Sequence, residues 1–152
     1  MRSMTLAFAA LLAAPAPAAG PAAEISASSD GLAVGGYDSV AYFRHGRPVP
    51  GSRSYQLQHR GAVWRFTSAE TLRQFLEQPD AFEPQFGGYC AWAVSQHYLA
   101  PGDPLQWKIV DGKLYLNANP RAKMLWEADQ SAAIKRGHAN WPAVLTDNQE
   151  NE

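Results

Sequence analysis

One cysteine, four histidines and a few carboxylates set in short motifs are the residues of this 152-residue chain that have chemistry to offer. Cys90 sits in GGYCAWAVS, Gly87 to Ser95, between Tyr89 and Trp92. As a thiolate it would be a soft metal ligand or a nucleophile, and as a thiol among apolar neighbours it would be a small buried hydrophobe. Both readings stay open on the sequence. The imidazoles available as partners are His45, His59, His97 and His138. His97 is nearest, seven residues on. If a helix ran through both, they would share a face but stand about 10.5 Å apart along its axis, too far for bonds of about 2.0 to 2.3 Å to meet at one ion. The pair works only if the helix ends near Ser95 and Gln96 to Pro101 fold back. His45 beside Gly46 and His59 beside a turn read as solvated loop residues, and His138, after Gly137 near a helix end, suits the negative pole of the helix dipole.

A cysteine hydrolase would add a histidine base and an orienting group, and no local signature supplies them. An apolar run also raises a thiol's pKa rather than activating it, so catalysis is not expected. Of the carboxylates in or near motifs, Asp111 belongs to a turn, Asp103 to the turn before Pro104, and Glu83 has no assigned role. Asp38, after two glycines and Tyr37, reads as a loop-ordering hydrogen-bond acceptor. Tyr37, Tyr42, Trp64, Phe86, Tyr89, Trp92, Trp107, Tyr115 and Trp126 read as core, since each aromatic buries about 150 to 250 Å².

Composition narrows the function classes. A chain with 46% hydrophobic and 18% charged residues, including five Trp, six Tyr and six Phe, has the means to bury a core. Thirteen basic against fourteen acidic residues leave no basic footprint for nucleic acid. One cysteine excludes an intramolecular disulfide framework, a zinc finger and a four-thiolate iron–sulfur cluster.

The elements that must position these residues follow from periodicity and punctuation. Gly31 to Asp38 predicts a loop and Val40 to Phe43 a strand. Ser54 to Gln58 and Ala62 to Phe66 predict a hairpin, and Trp107 to Val110 with Lys113 to Asn117 a second one across the Asp111-Gly112 turn. Thr67 and Glu70 have the spacing of a capping box, and Leu72, Phe75 and Leu76 carry a helix over about 68 to 77, stopped by Pro79. Pro79 to Gly88 reads as a connector and Tyr89 to Ser95 as a short buried helix. Asn119 and Pro120 start a helix that runs to about Gly137 with a bend near Asp129 to Ser131. Trp141 and Pro142 close the domain, and no internal repeat is expected. The fold class is therefore α+β: a single small domain in which two β-hairpins form a small antiparallel sheet packed with three or four helices.

Residues 1 to 23 carry an early Arg2, an apolar run from Met4 to Ala14, and then small residues and prolines, the order of a secretory signal peptide. The run is short of the roughly 20 residues a spanning helix needs. Cleavage after Ala18, Ala19 or Ala23 fits, and loss of Arg2 leaves a formal charge of −2. The expected order is leader 1–23, polar lead-in 24–30, domain 31–145 and polar tail 146–152, in a periplasmic or secreted protein without a membrane span.

Five stretches appear together in order: GYDSVAYF (Gly36 to Phe43), G-x-x-W-x-F-x-S (Gly61 to Ser68), F-x-x-x-P (Phe75 to Pro79), PQFGGYCAWAVS (Pro84 to Ser95) and DPLQWKIVDGKLYLN (Asp103 to Asn117). Together they resemble exported proteins carrying a YHS-type domain, over about residues 31 to 141. Other YHS domains accompany copper-transporting ATPases and certain oxygenases, so the resemblance implies a binding protein handling a soft ion such as copper; the residues of this chain expected to ligate it are Cys90 and His97. The metal-associated pattern places cysteines around an F-C-S-x-x-C stretch, where this chain has Phe66-Thr67-Ser68-Ala69-Glu70. The alternative is a metal-free structural or interaction module with a protein partner.

Overall fold

The computed structural model describes residues 20–147, and within them the chain is a small α+β domain. The leader expected over residues 1–23 lies outside the described residues up to position 19, as does the tail beyond Asp147. In chain order the elements are α1 (Ala41–Arg44), β1 (Ser52–His59), β2 (Ala62–Phe66), α2 (Ala69–Glu77), α3 (Pro79–Phe82), α4 (Ala91–Ser95), β3 (Asp103–Val110), β4 (Lys113–Asn117), α5 (Pro120–Ala128), α6 (Gln130–Asn140) and α7 (Val144–Asp147). Both expected hairpins are present, β1 with β2 and β3 with β4, each antiparallel.

The hairpins do not join into one sheet; each is a separate two-stranded sheet. The outer edge of β2 is occupied by the loop before it, where Ala33 N–H donates to Val63 C=O and Val63 N–H to Gly31 C=O, both at 2.9 Å. β4 is bridged in the same parallel sense by Pro84 and Cys90, opposite Leu114 and Leu116. An edge already paired with a loop offers no row of free donors to a second hairpin.

Several segments differ locally from expectation. Val40 to Phe43 is not a strand, because the Asp38 carboxylate accepts the Val40 and Ala41 N–H groups at 2.9 and 3.2 Å and starts α1 instead. α2 is capped by Ser68, whose Oγ accepts from Thr71 N–H, while Thr67 turns its hydroxyl to Asp38. The connector from Pro79 contains α3, the short helix expected from Tyr89 begins at Ala91 with Cys90 as its cap, and the tail contributes α7. Asn119 caps α5 as its sequence predicts, accepting from Ala122 N–H at 2.8 Å, and the bend at Asp129 separates α5 from α6.

The fold contains an internal repeat, contrary to the expectation of none. A turn of three successive left-handed residues opens each half: Val34, Gly35 and Gly36 in one, Phe86, Gly87 and Gly88 in the other. A tyrosine–proline bridge follows in both, Tyr37 with Pro50 and Tyr89 with Pro101. Then come a short helix, an eight-residue strand with a bulge after its first residue, a two-residue turn, a five-residue strand and a capped nine-residue helix. The equivalent residues lie 51 or 52 positions apart, as in Gly61 and Gly112 or Gly36 and Gly88. The surviving sequence traces are two GGY triplets, two PG pairs and the turn glycines. They are too sparse to mark a repeat in the sequence.

Each half buries an aromatic pair between its second strand and its helix. Trp64 meets Phe75 at 4.9 Å between ring centroids, and Tyr115 meets Trp126 at 5.3 Å. These rings are at most 2% exposed, and burying each contributes about 1.5 to 3 kcal/mol. The halves interlock where Leu114, Leu116 and Trp107 enter the first core and the Tyr42 hydroxyl donates to Pro104 C=O at 2.7 Å. Helix α6 settles onto Phe86 at Gly137, where a Cβ would stand 2.7 Å from the ring.

Candidate functional site

Five titratable side chains converge where the two halves and the lead-in meet, around an open cleft of about 160 Å³ lined by Glu24, Arg60, Asp80, Glu83, His138 and Trp141 among others. Arg60 is the first residue of the β1–β2 turn and holds a left-handed conformation, φ 51°. Its guanidinium donates to Glu83 Oε2 at 2.6 Å and is ion-paired with Glu24 on the other side. Glu83 lies between α3 and Pro84 in the extended conformation that a following proline favours. It is 7% exposed, and a buried carboxylate requires partners of this kind. Its second oxygen pairs with His59 Nε2.

His59 is not a free loop residue. Its ring packs on Phe75 at 5.4 Å and Trp64 at 5.9 Å, and its carbonyl accepts the Trp64 indole N–H at 2.9 Å. On the far wall His138 packs on Phe86 at 5.0 Å, and its Nε2 is 3.3 Å from the Tyr115 hydroxyl. Burial, helped by the positive charge of Lys113, lowers its pKa, so the imidazole is neutral at pH 7. The cleft therefore holds three carboxylates and one guanidinium beside the Trp141 and Phe86 rings, with the His59 imidazole against Glu83.

The residues singled out as metal ligands sit in unlike surroundings. Cys90 is 1% exposed, its S–H facing Asn117 Oδ1 at 3.6 Å and its sulfur accepting Ala93 N–H at 3.5 Å. His97 is exposed, with φ 64°, and its Nε2 pairs with Asp147 at 3.0 Å. Among the described residues no group of three or more His, Cys, Asp or Glu side chains is placed to hold a metal ion. His45 is exposed in the turn after α1. Asp103 orders its turn by accepting Leu105 N–H at 2.8 Å, Asp111 occupies the left-handed position of its hairpin, and Asp38 is the loop-ordering acceptor expected of it.

Glu24, Arg60 and Asp80 had no signal in the sequence, because the lead-in reads as outside the domain and Arg60 as a plain turn residue. A second groove, of about 260 Å³, runs between Ser26–Ser29 and the glycines Gly35, Gly88 and Gly102, and has no ionisable side chain in its lining. No helix among the described residues is long and apolar enough to cross a membrane. No family model, curated protein or solved structure matches the chain.

Proposed function

We propose that the protein is an exported YHS-type binding module that works without a metal ion and takes its ligand in the cleft between Arg60, Glu83 and Trp141. The observation that carries this reading is the contrast in access: ionisable and aromatic groups of both halves open onto one cleft, whereas the thiol is buried and takes no part in its lining. Export is supported by the order of residues in the leader, and the YHS-type assignment by the motifs from Gly36 to Asn117. The surroundings of Cys90 and His97 add no support to copper binding.

The chemistry of the lining favours a ligand with a positively charged group. Glu24, Asp80 and Glu83 outnumber Arg60, and His138 contributes no charge at neutral pH. The carboxylates are too dispersed to ligate one small ion, which suits an organic cation with a flat or apolar part against Trp141. Titration of the ¹⁵N-labelled protein with choline, putrescine and guanidinium, with acetate and phosphate as counter-probes, tests it. The cations are expected to shift the Trp141 indole and Gly87 amide signals, with several-fold weaker binding in Asp80→Asn. Preferential response to the anions, or shifts confined to other surfaces, overturns the reading.

A further inference from the structure

The residues just before the domain are bonded to it as a strap. Ala22 N–H donates to Leu145 C=O at 2.8 Å, and the Ala23 carbonyl accepts the Tyr89 hydroxyl at 2.7 Å. Glu24 pairs with Arg60, Ile25 is 3% exposed, and Ser26 N–H donates to Gly87 C=O at 2.9 Å. The strap lies so close on Gly87 that a Cβ there would fall on the Glu24 carbonyl. It thus ties the last helix, the second GGY turn and the first hairpin together.

Two of these bonds lie on the amino-terminal side of the Ala23–Glu24 bond, one of the three positions where the sequence permits leader removal. Cleavage there would strip the Leu145 carbonyl and the half-buried Tyr89 hydroxyl of their partners. Cleavage after Ala18 or Ala19 leaves the strap whole. Of the three positions only Ala18 has alanine at both small-residue offsets, Ala16 and Ala18, because Pro17 and Pro21 occupy the outer offset of the others.

We infer that leader processing spares the strap: a leader peptidase hydrolyses the Ala18–Ala19 bond, one water giving the Ala18 carboxylate and the Ala19 ammonium, and residues 20–23 stay as part of the folded protein. The inference rests on the export reading. The intact mass of the full chain expressed in a bacterium and recovered from its periplasm tests both. A chain starting at Ala19, or one residue later, is expected; a chain starting at Glu24 overturns the inference and leaves export standing, while a chain retaining Met1 overturns export and with it the inference. Thermal unfolding of leaderless chains beginning at Ala19 and at Glu24 tests the strap without any export step. The shorter chain is expected to melt about 5 °C lower for the loss of two hydrogen bonds, and equal melting temperatures overturn the inference.

Discussion

At equivalent places in its two halves the protein orders the loop before a short helix with opposite chemistries. In the first half Asp38, wholly buried, accepts five hydrogen bonds: Val40 and Ala41 N–H on one oxygen, and Thr67 N–H, Thr67 Oγ1 and Thr71 Oγ1 on the other, all between 2.7 and 3.2 Å. In the second half the same position is Cys90, and the places of Thr67 and Thr71 are taken by Ala118 and Ala122, which pack around the sulfur with Ala93. The backbone donor that Asp38 takes from Val40 has its counterpart in Trp92 N–H, which turns to Asn117 Oδ1 at 3.0 Å. A polar hub and an apolar plug thus fill one niche. The comparison accounts for the thiol by packing: where its donors have become alanines, a carboxylate would be a buried charge with too few partners, and a small soft hydrophobe fits.

This contrast can be broken by exchange. Asp38→Ala strands three backbone and two side-chain donor groups and is expected to cost about 3 to 5 kcal/mol in urea unfolding. A loss no larger than that of Cys90→Ala would break the comparison. Cys90→Asp places a carboxylate where few donors face it, for an expected loss on the order of 2 to 4 kcal/mol. Adding Ala118→Thr and Ala122→Thr rebuilds the first half's network and should recover part of that loss, a coupling that a thermodynamic cycle reads directly. Cys90→Ala alone removes one buried atom and is expected to cost about 1 kcal/mol.

The smallest expected effect is at His138, whose Nε2 stands 3.3 Å from the Tyr115 hydroxyl in the second half. Its folded-state pKa lies below the ordinary 6.5, so the unfolded chain binds the proton more readily. Stability contributed by the neutral ring is complete above pH 6.5 and is lost as the pH falls from there towards the lowered folded value. Denaturation at pH 7.5 and pH 5 should therefore show wild type losing more stability than His138→Gln, and parallel losses would remove the histidine from the account.

The parts of this fold that depend on neighbours in sequence were legible from the start. The hairpins follow from alternation around a glycine turn, and Asn119-Pro120 announces α5 because cap and first-turn proline are local devices. Val40 to Phe43 are β-prone by type yet open helix α1, because the Asp38 carboxylate, held by Thr67 and Thr71, binds the Val40 and Ala41 N–H groups. The Glu24–Arg60–Glu83–His59 network joins residues 59 positions apart through a strap that composition alone assigns to a polar lead-in. The repeat stayed hidden because the two halves keep the same backbone with different side chains, Asp38 against Cys90 being the sharpest case.

The most direct test of the sealed-thiol account is titration of the protein with Cu(I) against a chelating indicator, for wild type and Cys90→Ala in parallel, with thiol labelling followed in the same samples. The account predicts equal, negligible uptake by both proteins and labelling of Cys90 only on unfolding. One equivalent of copper held by the wild type and lost in the variant, with the thiol consumed in the folded state, would contradict it.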